Sequence, residues 1–174
     1  MKKVFQLLLA FIVLIVLIVG AGAAWINFSG IPKYETVKFD YQVAVTPEKV
    51  ERGRKLASML CVFCHTNHST GLLTGQRMPD APREFGKIYS QNITQDKTHG
   101  IGNWTDAELL YLLRTGIKRD GQYSPPYMPK LAHMADEDIE SVIAFLRSDD
   151  RLVAPAGVPD TACQPSFLTK FLCR

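Results

Sequence analysis

Five residues, Cys61-Val62-Phe63-Cys64-His65, concentrate the metal- and electron-handling side chains of this sequence. Two thiols followed at once by an imidazole admit three chemistries: a structural zinc site, a dithiol–disulfide couple, or covalent attachment of a haem. Structural zinc needs four ligands, ordinarily in two separated pairs. The other cysteines, Cys163 and Cys173, lie 99 or more positions beyond Cys64 in a proline-containing tail. A thioredoxin-type pair belongs beside a βαβ pattern, whereas the surroundings here read as helical. In the third chemistry each sulfur adds across a vinyl group to form a thioether, and His65 coordinates the iron. The adjacency follows from geometry, because a ring tethered at Cys61 and Cys64 lies where the next side chain must point. The pattern favours this third chemistry.

The elements that must position such a group are few. Residues 46–60, "TPEKVERGRKLASML", read as a helix that delivers the chain into the motif. Thr46 is a suitable N-cap, Pro47 suits the first helical position, and Glu48 favours the positive end of the dipole. Val50, Gly53, Leu56, Ala57 and Leu60 share one face. Residues 66–104 are rich in Gly, Pro, Asn and Thr with little periodicity, and a loop of that length in a compact domain is usually a functional wrap. Residues 104–116 form a second helix, with Thr105 and Glu108 as a capping box and Gly116 as the stop. Pro125, Pro126 and Pro129 exclude helix from the next segment. A third helix spans 136–150, with Ile139, Val142, Ile143 and Leu146 on one face. Of Ala135 and Asp136 at its start, only Asp136 is a good cap. Three moderate helices make no obvious core. A large flat apolar group would supply the missing volume.

A second axial ligand to the iron decides whether the site carries electrons or binds substrate. Beyond His65 the candidates are Met78, Met128 and Met134, with His68, His99 and His133. His68 is too near His65 in sequence to reach the opposite face. Met128 sits in "SPPYMPK", a proline-fixed loop that can hold a thioether at small entropic cost. Met78, in "RMPD", also precedes a proline and is the rival; Met134 abuts a helix start and reads as core. A His/Met pair raises the reduction potential and closes both axial positions. An open or histidine-filled position would instead suit a haem enzyme or gas sensor.

The first thirty residues bound where this chemistry takes place. Leu7 to Ile26 carry no charge, and none occurs between Lys3 and Lys33. Twenty apolar residues match the hydrocarbon thickness of a bilayer. Lys2 and Lys3 keep the N-terminal end cytoplasmic and place the rest outside, with Trp25 near the far interface. Ala21-Gly22-Ala23 also offers a signal-peptidase-like site, so residues 1–28 are an anchor or a signal peptide. Both readings export the remainder, into a compartment where Cys163 and Cys173 can bridge. Without Lys2 and Lys3 the formal charge falls from +3 to +1, which excludes nucleic acid and other polyanions as partners. Residues 31–90 hold nine basic and six acidic side chains, and residues 91–150 six basic and ten acidic. Such an uneven chain can orient a protein partner.

Helix–CVFCH–long loop–helix–PYMP–helix resembles a class I cytochrome c domain. "NIT" (92–94), "GIGNWTDAEL" (100–109), "DGQYSPPYMP" (120–129) and "DEDIESVIAFLRS" (136–148) are similar to membrane-anchored bacterial cytochromes c, among them the cytochrome subunits of periplasmic alcohol and sugar dehydrogenases. The resemblance covers residues 46–150. It implies an all-α, cytochrome c-like fold around one covalent haem c, preceded by a single N-terminal transmembrane helix. Residues 29–45 would be a stalk and 151–174 a C-terminal tail. Thioethers at Cys61 and Cys64, with axial His65 and Met128, are likewise implied. So are a close approach of Gly53 to the third helix near Phe145, and Trp104 and Ile93 near the haem edge, though a helix-entry role suits Trp104 as well. The implied function is single-electron transfer rather than catalysis. The partners would be a dehydrogenase, a quinol-oxidising complex or a terminal oxidase, at the periplasmic face of the bacterial inner membrane. Dehydrogenase subunits of this kind often carry three such domains, and here one is present.

Overall fold

The crossing of two helices, forced close by one glycine, organises the fold. In the computed structural model, which describes residues 2–78 and 80–174, helix α2 (Pro47–Leu60) packs across helix α5 (Asp136–Leu146). A β-carbon on Gly53 would stand 1.8 Å from the Ser141 carbonyl oxygen and 2.9 Å from Phe145 Cβ. No side chain fits there, so the glycine sets the interhelical distance, as the resemblance implies. Ile139, Val142, Ile143, Ala144 and Phe145 are then sealed completely. Helix α5 is buried from Ser141 through Leu146, and not only along the stripe expected from periodicity. It is enclosed by α2, by α4 (Asp106–Thr115) and by loop residues Leu73, Ile101 and Val153.

Local signals at the ends of α2 and α4 behave as their chemistry dictates, whereas α5 is preceded by Ala135 with no side-chain cap and has Asp136 as its first residue instead of its cap. Thr46 Oγ1 accepts from the Lys49 amide ahead of Pro47, and Thr105 and Glu108 form the reciprocal capping box. Gly116 takes the left-handed conformation at φ 78° and closes α4. Helix α5 stops at Leu146, short of the expected 150. The Asp150 carboxylate instead accepts from Leu152 N and opens a 3₁₀ turn over Arg151–Val153. A one-turn helix, α3 (Val62–His65), follows α2 directly.

Residues 30–45 run extended along the body. Tyr34 N donates to Gly121 O at 2.8 Å, Tyr123 N donates to Pro32 O at 3.1 Å, and Val43 is buried. Asp106 joins this segment to the core: Oδ2 accepts from Val43 N at 2.9 Å and Oδ1 from Arg147 Nε at 2.9 Å. Ahead of it, helix α1 (Lys2–Ser29) has 28 residues, none buried. At 1.5 Å per residue it is about 42 Å long. That length and its apolar composition suffice to cross a membrane.

Among the described residues the molecule is all-α apart from one strand pair. Strand β1 (Gly86–Lys87), inside the long loop, pairs antiparallel with β2 (Gln164–Pro165) of the tail. The tail ends in helix α6 (Phe167–Leu172). Two-residue strands and a six-residue helix leave no periodicity to read.

Gly53→Ala should separate α2 from α5 and destabilise the fold by about 3 kcal/mol, read as a fall in thermal midpoint. Glu140 accepts from Lys49 Nζ and Tyr41 Oη, which hold its carboxyl below its usual range; burial opposes them. A depressed carboxyl stabilises the fold above its unfolded-state pKa and loses that contribution as pH falls through the folded value. Glu140→Gln should therefore cost about 1 kcal/mol at neutral pH, the pair being partly screened by solvent. The difference from the parent should shrink as pH falls below the carboxylate range, read in paired denaturation curves.

Candidate functional site

A motif that ends a helix leaves its carbonyls without partners, and the long loop supplies them. Cys61 both closes α2 and opens α3. Cys64 N and His65 N bond back to Cys61 O at 3.2 and 2.9 Å. Val62 O accepts from Thr66 N at 3.0 Å, and the three carbonyls after it are taken by the wrap. Gln76 Nε2 donates to Phe63 O at 3.1 Å, Ser90 Oγ to Cys64 O at 2.6 Å, and Gly75 N to His65 O at 2.8 Å. Gly75 is at φ 81°, and a β-carbon there would meet Ser90 O at 2.3 Å. Only glycine admits that closeness. Asn92, buried, anchors the far side of the wrap: its amide nitrogen donates to Ala156 O and Val158 O, and its amide oxygen accepts from Thr94.

The histidine is aimed by the same loop. His65 Nδ1 lies 2.8 Å from Gln91 O. A carbonyl only accepts, so Nδ1 carries the proton and Nε2 keeps its lone pair for a metal. This is the arrangement metal-ligating histidines adopt. Burial lowers the imidazole pKa, partly opposed by the Gln91 bond, so the ring is neutral. Burial pushes the Cys61 thiol up to about 11, with Cys64 adding to the effect. Cys64 is also raised, by burial first and Asp80 second. Reactive redox dithiols need the opposite shift. Two protonated thiols beside a neutral imidazole with a free lone pair therefore fit a covalently attached haem.

The candidate sulfur ligands divide by environment. Met128 and Met134 are half-buried against the same apolar cluster as Cys61, Val62, Ile93 and Trp104. Met78 instead lines an open cavity of about 310 Å³ with Arg77, Ala81, Arg83, Gly86 and Ile88. Pro79, the proline that Met78 precedes, lies outside the described residues. His68 and His133 are exposed, and His99 sits beside Asp96, to whose carboxylate its backbone N donates at 2.7 Å. Met128 Sδ accepts from Ser124 Oγ at 3.4 Å. Trp104 carries the Arg119 guanidinium at 5.7 Å from its ring centre and gives its carbonyl to Arg147. Cys163 and Cys173 are separate thiols, with Cys163 Sγ bridging Tyr89 N and O at 3.2 Å each.

Two cations hold the Met128 loop, and sequence reasoning missed both. Prolines 125, 126 and 129 remove amide donors, so few backbone partners remain for the loop carbonyls beyond Met128 N to Pro125 O and Met134 N to Leu131 O. Lys130 Nζ fills the gap, donating to Ser124 O, Pro125 O and Met128 O at 2.6, 3.0 and 3.1 Å, and stacking 4.5 Å from the Tyr123 ring centre. Arg114 does the same further on, through Leu131 O, Ala132 O and Met134 O. A proline-rich segment flanked by a lone lysine is the signal that could have found the first of these. Lys130→Met should cost about 2 kcal/mol in stability, since charged hydrogen bonds are lost. Amide exchange should quicken at Met128 and Leu131 while that of Phe145 changes less.

Comparison with known proteins identifies the family. The family model described as cytochrome c matches residues 50–149. The chain is 39% identical over 122 residues to the fructose dehydrogenase cytochrome subunit of Gluconobacter japonicus, covering 68% of this chain and 24% of that protein. It is 37% identical over 108 residues to the cytochrome c subunit of a quinone-type alcohol dehydrogenase of Gluconobacter oxydans, covering 60% and 22%. It is 34% identical over 111 residues to the gluconate 2-dehydrogenase cytochrome c subunit of Pantoea cypripedii, covering 62% and 25%. The chain thus spans about a quarter of the length of these relatives. The family match takes in α2, the CVFCH motif, the wrap, α4, the Met128 loop and α5, and with it comes covalently bound haem c. This chain belongs to the cytochrome c family, as a class I type electron-transfer domain.

Proposed function

We propose that the chain is a membrane-anchored mono-haem electron carrier. Its haem is bound by thioethers at Cys61 and Cys64, with His65 and Met128 as axial ligands. The observation that carries the ligand set is the His65 Nδ1–Gln91 O bond, which fixes the tautomer and leaves Nε2 free. When bound, the haem supplies a one-electron couple at its iron. The chain's own residues orient, hold and enclose. Gln91 O aims His65, Ser90, Gln76 and Gly75 hold the motif's backbone, and Lys130 fixes the loop that presents Met128. Ser124 Oγ, donating to Met128 Sδ, selects one side-chain conformation for the thioether before any metal contact. A thioether held this way favours a closed sixth position, hence electron transfer over substrate binding.

Residues 46–150 form the haem domain in this reading, 29–45 the strap, and 151–174 the tail. Helix α1 stays as a single-pass anchor, with Lys2 and Lys3 on the cytoplasmic side and the haem domain facing the periplasm. The similarity to cytochrome subunits of fructose and alcohol dehydrogenases supports a dehydrogenase as electron donor. A quinol-oxidising complex or terminal oxidase would stand on the accepting side. Met128→Ala tests the ligand set. The oxidised parent should show a sulfur-to-iron charge-transfer band and no change on adding carbon monoxide to the reduced form; the variant should lose the band and bind carbon monoxide. A band that survives in the variant removes Met128 from the set. Carbon monoxide binding by the parent would favour a gas sensor or haem enzyme with a displaceable ligand.

A further inference from the structure

Helix α6 is amphipathic and faces the wrong way for a water-soluble tail. It turns Thr169 and Cys173 inward, both nearly sealed, and leaves Phe167, Leu168, Phe171 and Leu172 outward, each 40–54% exposed. A half-turn rotation would bury those four large apolar side chains. Two fixed contacts prevent it: Thr169 Oγ1 donates to Phe85 O at 2.8 Å, and Ser166, whose N donates to Phe85 O at 2.9 Å, caps the helix through Thr169 N. The β1–β2 pair fastens the segment just before it. The orientation is therefore built in.

The outward face continues onto the end of α1. Lys170 Nζ donates to Asn27 O and Oδ1 at 3.0 and 2.9 Å. Arg174 bonds Ser29 and Gly30 and lies 4.5 Å from the Trp25 ring centre. Trp25 and Phe28 are themselves exposed. Aromatic rings, two cations and a short helix with four exposed Phe and Leu thus gather where the membrane-spanning helix ends. That combination is what an interfacial helix presents to a bilayer. Arg83 and Lys87, exposed on the adjoining loop, add positive charge beside the acid Glu84.

We propose that α6 lies in the interface of the outer leaflet of the same bilayer that α1 crosses, with Phe167, Leu168, Phe171 and Leu172 among the acyl chains. The inference rests on the anchor reading of α1 given above. The helix is a second attachment point, and it fixes how the haem domain sits on the membrane instead of letting it swing on residues 30–45. The Met128 loop is coupled to this attachment, because Tyr127 packs against Phe85 with ring centres 6.5 Å apart.

Photocrosslinking tests the proposal on the full-length holoprotein in membranes of the cells that make it. p-Benzoylphenylalanine replaces Phe171, or Leu168 in a second variant so that damage at one position does not decide the result; a control carries it at Arg52, exposed on α2. Membranes are washed with alkaline carbonate, irradiated, and adducts are weighed by mass spectrometry. The expected result is retention of every variant, with phospholipid adducts several-fold more abundant at 171 and 168 than at 52. Release of the parent by carbonate defeats the anchor and, with it, the inference. Retention with no lipid adduct above the control defeats the inference alone, and so do adducts that are predominantly with another protein, which would make the face a subunit contact.

Discussion

A backbone carbonyl aiming a histidine is the constraint from which the rest of the architecture follows. For Gln91 O to reach His65 Nδ1, the chain must leave the motif, travel some twenty-five residues and return within 2.8 Å. The segment between makes this return worthwhile by satisfying the carbonyls that α3 leaves open at Phe63, Cys64 and His65. An unpaired buried carbonyl costs free energy comparable to a lost hydrogen bond, so the wrap is not spare sequence. Its irregularity is the consequence of serving one short motif from several directions. Gly75 has to be glycine for the same reason, since the two limbs of the wrap pass within van der Waals contact.

The Met128 loop meets the complementary problem. Prolines stiffen the Met128 loop but strip it of donors, and Lys130 and Arg114 restore them with charge-assisted bonds to six carbonyls between Ser124 and Met134. Such bonds are stronger than neutral ones, so the loop is held without regular structure. Arg147 and Asp106 tie α5 to the entry of α4 and, through Val43, to the segment leading from α1. The α2–α5 crossing at Gly53 lies just ahead of the motif in the chain, and α4 holds the start and end of the Met128 loop through Gly116 O and Leu113 O. On the proposed ligation, burial around His65, partly opposed by the Gln91 bond, keeps its ring unprotonated and available.

What could be read from sequence was whatever rests on local rules. Thr46-Pro47, the Thr105–Glu108 box and Gly116 announce helix ends because capping is decided within four residues. The CVFCH spacing announces its chemistry because covalent attachment fixes it. Gly53 was legible through family resemblance alone, since nothing in its own neighbours reveals Ser141. Gln91 was invisible: it contributes a carbonyl, which every residue has. Lys130 is a lone lysine beside three prolines, and its three acceptors become apparent only once the loop is folded back on it. Helix α5 starts where expected but ends four residues early and was read as one-sided, whereas its burial on several sides depends on Leu73, Ile101 and Val153 arriving from distant segments. The tail gave least. Strands of two residues and a helix of six carry no period, and Cys163 found Tyr89 as a partner where a bridge to Cys173 was the alternative.

The central claim is that one porphyrin is bonded to this polypeptide through both sulfurs of the motif. Acid–acetone extraction followed by intact mass of the protein isolated from membranes measures it directly. The account predicts colour that stays with the polypeptide and a mass increased by a single haem, with the covalent adduct absent when Cys61 and Cys64 are both replaced by Ala. Extraction of all colour into the solvent, leaving a mass equal to the bare chain, would contradict it.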